Sequence, residues 1–136
     1  VPNKILFPLG YAAPELILNR RNCINHTSDL FSLGIVIWRL FEDKLPFFHP
    51  NPSVYTNLQI TYPLPDGNET SKDLNRILKK MCYKHQFAQA PNLMNQEDVH
   101  QLLLNASIKR YQTLPEVLND LIHVNDRKSW INRILS

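Results

Sequence analysis

The 136-residue sequence holds only three glycines, at positions 10, 34 and 67, too far apart to build a glycine-rich loop that cradles phosphate. Its two cysteines, Cys23 and Cys82, make neither a disulfide framework nor a metal motif, and they read as reduced, half-buried thiols of a cytoplasmic protein. The five histidines, at positions 26, 49, 85, 100 and 123, lack ligand spacing, which argues against a metal site. No hydrophobic run is long enough to cross a bilayer, and the first residues carry no signal-peptide pattern, so no membrane partner is expected. The net charge is +3, with the bases dispersed as Arg20/Arg21, Lys79/Lys80, Lys109/Arg110 and Arg127/Lys128. No patch interleaves them with aromatic residues, which argues against a specific nucleic-acid surface, and no nucleic-acid partner is expected. Clean strand alternation and internal repeats are also missing.

What is present is helical periodicity, in a chain long enough for one domain with a real core. Residues 28–41 place Leu30, Leu33, Ile37 and Phe41 on one band with Gly34 and Trp38, while Phe31, Ile35, Val36 and Leu40 fill most of the remaining circumference. A helix apolar nearly all round is expected to be a buried central rod, capped by Ser28 or Asp29. Gly34 in its interior marks a close backbone approach. Around this rod, a short turn of helix is expected after Pro14 and another helix over 53–59. Residues 71–84 form an amphipathic helix capped by Ser71, and Asn95 caps a further helix carrying Val99, Leu102 and Leu103. Thr113 and Glu116 read as a capping box opening a helix through Val117, Leu118, Leu121 and Ile122. Residues 42–48 turn Phe47 and Phe48 back toward the core, and 62–68, with Pro63, Pro65 and Gly67, are irregular. A last turn around Trp130, Ile131 and Ile134 follows in the polar tail. The reading is all-α.

Several short stretches, in order, resemble the protein-kinase catalytic domain. Tyr11-Ala12-Ala13-Pro14-Glu15 is similar to the Ala-Pro-Glu motif that closes the kinase activation segment. Ser28-Asp29-Leu30-Phe31-Ser32-Leu33-Gly34 is similar to the Asp-x-Trp-Ser-x-Gly opening of the family's central helix, with Phe31 in place of Trp. Leu45-Pro46-Phe47 resembles the Pro-Phe turn after that helix, and Lys109-Arg110 falls where the family places its late arginine. The resemblance covers residues 7–122 and implies the helical C-lobe of the kinase-like fold, without the N-lobe or the catalytic loop. It implies a kinase-like region over 1–124, with a helical insertion near 84–106, and a tail over 125–136.

The same resemblance implies roles. Glu15 would pair with Arg110, Asp29 would turn inward to hold backbone N–H groups of the catalytic loop, and Trp38 would serve the core. Phe7, Pro8, Leu9, Gly10 and Tyr11 would form the loop that receives the substrate residue just beyond the phosphorylated one. Phe7-Pro8 is similar to tyrosine kinases, whereas Gly10-Tyr11 resembles receptor-like serine/threonine kinases, so the hydroxyl specificity stays open. No His-Arg-Asp-x-x-x-x-Asn stretch and no Asp-Phe-Gly occur, and a chain opening on Val1 reads as the middle of something longer. No catalytic residue is therefore expected in this chain, and no cofactor bound by it alone. ATP and Mg are expected for a full-length parent, with the rest of the kinase domain and a protein substrate or regulator as partners. The alternatives are a pseudokinase lobe acting as an interaction or allosteric module, and an unrelated all-α binding module with Glu15 and Arg110 apart and Asp29 exposed. A lobe cut in this way is expected to self-associate or to be only modestly stable.

Overall fold

A computed structural model describes residues 8–124. Six α-helices run through it: α1 (Pro14–Ile17), α2 (His26–Glu42), α3 (Pro52–Thr61), α4 (Lys72–Met81), α5 (Gln96–Lys109) and α6 (Leu114–Leu121). Short 3₁₀ turns at Leu9–Tyr11, Arg21–Cys23 and Pro91–Leu93 fill the connections, and no strand forms among the described residues. The fold is all-α. The expected last turn around Trp130 lies outside the described residues.

The core is built on α2, which packs on α4, on the Leu9–Tyr11 turn and, through α4, on α6. Phe31, Ile35, Trp38 and Phe41 of α2 meet Leu74, Ile77, Leu78 and Met81 of α4, all buried. Gly34 lies at the centre of this contact. A Cβ there would come within 2.5 Å of Cys82 Sγ and 3.0 Å of Met81 Cβ. A second, smaller cluster joins Cys23, Val99 and Leu103, so helix α5 covers this part of the lobe with one face. Glu97, Asp98, Gln101 and Asn105 stay exposed on the helix.

Local capping fixes the helix starts. Asn51, Ser71, Asn95 and Thr113 each accept a backbone N–H from the first turn of the helix they open. Three expectations are corrected. Helix α2 starts at His26, with Asn25 as cap: its side chain accepts from Thr27 N at 2.8 Å, while Ser28 Oγ accepts from Asn25 N at 3.3 Å. Ser28 is thus the reciprocal partner in the cap, and Asp29 lies in the first turn. The capping box at α6 is displaced by one residue, since Glu116 Oε2 accepts from Gln112 N at 3.2 Å. Of the two aromatics returned by the turn after α2, Phe47 is buried and Phe48 is 68% exposed.

The larger difference concerns α2 itself, which is not buried all round. Asp29, Leu33, Val36 and Leu40, spaced four, three and four apart, fall on one helical face and are exposed. Trp38 and Glu42 meanwhile tie down the irregular segment that follows α3. Trp38 Nε1 donates to Pro65 O at 3.1 Å, and the Glu42 carboxylate accepts the N–H groups of Asn68, Glu69 and Thr70 at 2.8–3.1 Å. Asn75 of α4 closes the same loop, accepting from Gly67 N at 2.9 Å and from Thr70 Oγ1 at 2.6 Å.

Gly34→Ala separates helix propensity from packing. Propensity alone favours alanine by about 1 kcal/mol, whereas overpacking a tight contact costs about 1–3 kcal/mol. Cys82 cannot move aside freely because its Sγ donates to Phe31 O at 3.3 Å. The variant should therefore be less stable by about 1 kcal/mol in urea unfolding; an increase would show that α4 yields at this point.

Candidate functional site

The site is built from the segment 8–15, held from three sides. Its first turn is closed by Tyr11 N donating to Pro8 O and Ala12 N to Leu9 O, each at 3.1 Å. Gly10 is buried in close contact with its neighbours: a Cβ would stand 2.6 Å from both Leu45 Cδ1 and Tyr55 Oη, so those side chains would have to shift to admit one. From α3, the fully buried Gln59 donates through Nε2 to the carbonyls of Gly10 (3.2 Å) and Ala12 (3.0 Å). From α2, Ser32 Oγ donates to Tyr11 O at 2.8 Å, and Arg39 donates to the Tyr11 hydroxyl. Pro8 stays exposed and Leu9 half-buried at the rim, while Phe7 lies outside the described residues.

Below this turn the chain enters α1 with Pro14 in its first turn, where the missing N–H costs nothing. Glu15 then points into the lobe and is fully buried, as is Arg110 at the end of α5. Their contact is bidentate across 95 residues of sequence: Arg110 Nη1 donates to Glu15 Oε2 at 2.6 Å and Nη2 to Oε1 at 3.1 Å. Ser28 Oγ donates to Glu15 Oε2 at 2.6 Å, and Arg110 Nε donates to Tyr83 O at 2.9 Å. The guanidinium also lies over the Phe31 ring, 5.0 Å from its centroid. Two charges removed from water are tolerable only when their hydrogen-bonding groups are met in this way.

Lys84 is a second buried cation, close by. Its Nζ donates to the carbonyls of Gln59 (2.9 Å) and Leu58 (3.4 Å) in the last turn of α3, and it sits 4.0 Å from the Phe47 ring centroid. Burial pushes its ammonium down to about 7, and neighbouring Arg110 adds to the shift. The two thiols respond the other way. Burial pushes Cys82 up to about 12 and also raises Cys23, whose Sγ lies 3.4 Å from His100 Nδ1. Both are fully buried rather than half-buried, and a protonated buried thiol is unreactive.

The structure therefore brings together Glu15, Arg110 and the Pro8–Tyr11 turn, and it places Trp38 in the core. It leaves Asp29 exposed at the start of α2, beside Leu33, instead of turned into the described residues. Ser28, Gln59 and Lys84 escaped the sequence reading. The sequence offers Ser28 only as a cap candidate beside Asp29, Gln59 sits in a helix with little amphipathic signal, and Lys84 looks like the polar end of α4. Among the described residues no group of three or more His, Cys, Asp or Glu could hold a metal ion, and no helix is long and apolar enough to cross a membrane.

Removing either partner of the ion pair strands the other charge, so Glu15→Ala and Arg110→Ala should each cost about 3–5 kcal/mol in urea unfolding. Arg110→Lys, which loses the planar fork, should recover only part of that loss; full recovery would show that charge alone suffices. Lys84 gives the chain a pH signature. Between about pH 7 and pH 9 the unfolded chain keeps a lysine proton that the folded chain has released, so stability rises with pH. The slope reaches at most about 1.4 kcal/mol per pH unit. Above about pH 9 the unfolded thiols ionise while buried Cys82 keeps its proton, which opposes the Lys84 rise and levels the curve. Lys84→Met should flatten the rise between pH 7 and 9 in denaturation curves; an unchanged rise would assign it to another group.

The family model for protein tyrosine and serine/threonine kinases matches residues 2–101. The chain is similar to histidine protein kinase 1 of Candida albicans, 22% identical over 135 residues, which is 92% of this chain and 5% of that protein. It is also similar to a probable serine/threonine-protein kinase of Dictyostelium discoideum, 32% identical over 90 residues, which is 62% of this chain and 7% of that protein. The chain thus spans a small part of the curated relatives it matches, and no solved structure matches it. A family match over most of the chain, on an all-helical lobe that carries the Ala13-Pro14-Glu15 stretch on a buried arginine, means that this chain belongs to the protein tyrosine and serine/threonine kinase family.

Proposed function

We propose that this chain is the substrate-side scaffold of a protein kinase, the C-lobe portion of a parent that transfers phosphate from ATP to protein hydroxyls. The observation that carries the reading is the buried Glu15–Arg110 pair. It fixes the segment after the Pro8–Tyr11 turn to the end of α5, so that the turn becomes a rigid shelf for a substrate chain. Phe7, Pro8, Leu9, Gly10 and Tyr11 receive the residue beyond the target hydroxyl, and Gly10 keeps the shelf flush with Leu45 and Tyr55.

Holding a substrate in place is worth much of the barrier in phosphoryl transfer, which otherwise needs a phosphate cradle, a lysine, a base and carboxylates on Mg. Those groups come from outside this sequence, from the rest of the kinase domain, which brings ATP and Mg. The exposed face of α2 supports that division of labour: Asp29 and the apolar Leu33 and Val36 offer a carboxylate acceptor and a dry surface to an incoming segment. The parent works in the cytoplasm, on a protein substrate or under a protein regulator. In a parent without phosphoryl transfer, the same lobe serves as a pseudokinase interaction module.

Two measurements test this. The parent protein, assayed with Mg-ATP and a mixed peptide substrate, should transfer phosphate to serine, threonine or tyrosine, and Leu33→Asp should lower kcat by at least about tenfold. A parent that binds partners but transfers nothing would assign the pseudokinase role. The chain alone should self-associate at micromolar concentration in sedimentation, and Leu33→Asp with Val36→Asp should return it to a monomer. A wild-type chain that stays monomeric would show that the α2 face needs no cover.

A further inference from the structure

A cavity of about 260 Å³ lies between the link that follows α1 and helix α5, lined by Asn19, Arg20, Arg21, Asn22 and His100. Every lining side chain is polar and none is a carboxylate. That composition suits a small anion, since apolar ligands take larger, mostly apolar pockets of roughly 300–1,000 Å³. Exposed bases on α4 are differently placed. Lys79 meets Asp66 at 2.6 Å and Arg76 meets Asp73 at 3.2 Å, so their charges are already answered.

The donors of this cavity are held in place. The chain turns out of α1 through Asn19, whose φ of 54° is left-handed, a conformation asparagine adopts more readily than most residues. Asn19 N donates to Leu16 O at 3.0 Å and Arg20 N to Glu15 O at 2.9 Å, the paired bonds of a Schellman C-cap. The backbone of Arg20 is thereby tied to the residue that anchors α1. Its side chain donates to Gln96 Oε1, and Gln96 is itself fixed by donating through Nε2 to Met94 O (2.9 Å) and Pro91 O (3.2 Å). A neutral amide thus holds the guanidinium without neutralising it, which leaves its charge and further N–H groups for a ligand. His100 is oriented by Cys23. That thiol is fully buried, burial raises its pKa so that the proton stays on sulfur, and Sγ lies 3.4 Å from His100 Nδ1. With the thiol donating to Nδ1, the imidazole carries its own proton on Nε2, a second donor at the cavity wall. Glu15, the carboxylate whose charge reaches Cys23, is taken up by Arg110, and Glu97 and Asp98 in the first turn of α5 do not line the cavity.

We propose that this cavity is a binding site for a phosphate dianion, with Arg20 and His100 as its positioned donors and Arg21 adding charge beside them. A guanidinium presents its N–H groups as a planar fork that matches two phosphate oxygens, and such charge-assisted bonds are about twice as strong as neutral ones. A phosphorylated serine of another protein segment and free inorganic phosphate share this chemistry. The site uses none of the residues of the Pro8–Tyr11 shelf, so it serves an active parent and a pseudokinase alike.

The test is calorimetric titration of the full chain at low salt with inorganic phosphate and with a phosphoserine peptide of otherwise neutral sequence, beside its unphosphorylated form. At least one phosphate probe should bind saturably and shift the His100 ring nitrogens in ¹H–¹⁵N spectra, and the unphosphorylated peptide should do neither. Arg20→Gln should weaken binding about tenfold or more, as expected for the loss of a charged hydrogen-bond donor, while Arg76→Gln on α4 should leave it unchanged. Gln96→Glu sets a carboxylate on Arg20 without removing it. It should weaken binding as well, and it keeps the test open should Arg20→Gln fail to fold. Tighter binding of the peptide than of inorganic phosphate gives the anion a protein source, equal affinity gives a free one, and either supports the site. No saturable binding of either probe at millimolar concentration would overturn the proposal. So would unchanged affinity in Gln96→Glu, or equal losses in Arg20→Gln and Arg76→Gln, which mark unspecific attraction to a basic chain.

Discussion

One ion pair holds the rest of the lobe in register. Glu15 and Arg110 come from opposite ends of the described chain, both out of reach of water, and each carries extra hydrogen bonds that keep the pair from being a liability. Energetically such a pair is weak evidence of stability, because hydrophobic replacements of matched volume often do as well. What it supplies is geometry. A planar fork on a carboxylate has one low-energy arrangement, so α1, the start of α2 and the end of α5 must meet at a fixed angle. Ser28 makes the link tighter still, since the same hydroxyl accepts from the N-cap of α2 and donates to Glu15.

A second layer of polar contacts radiates from this centre into backbone that no helix satisfies. Gln59 supports the carbonyls of the Leu9–Tyr11 turn, Lys84 caps the carbonyl end of α3, and Glu42 gathers three N–H groups of the loop before α4. Each is a side chain from a helix reaching into a loop, so the irregular segments are positioned almost as firmly as the helices. Buried backbone groups have to find partners somewhere, and where no strand forms among the described residues, long side chains become the suppliers.

How far this was legible in the sequence depended on whether the signal was local. Ser71, Asn95 and Thr113 announced their helices because a cap and an apolar repeat stand side by side. Asn25 did not, since the apolar repeat of α2 begins only at Leu30 and the polar first turn hides the true start. The exposure of Leu33 and Val36 was unreadable for a different reason: hydrophobicity records that a side chain is to be covered, not by what. Periodicity and spacing alone gave no hint of the Glu15–Arg110 contact, which only the family resemblance supplied. Lys84 gave no signal at all, because a buried lysine and a solvated one look alike in a list of letters.

The bond from Arg110 Nε to Tyr83 O bears on the helix-bearing stretch between the two residues. It brings the two ends of the stretch 84–109 together at 2.9 Å, just where the chain leaves α4 and just where it turns toward α6. Between them the chain makes a detour, in which α5 lies back on the lobe with Val99 and Leu103 against Cys23. The free energy of closing such a detour grows only with the logarithm of its length, so the lobe on the near side scarcely registers how long the excursion is. Length can therefore vary at least cost at the exposed residues 88–90, while Lys84 and α5 keep their seats.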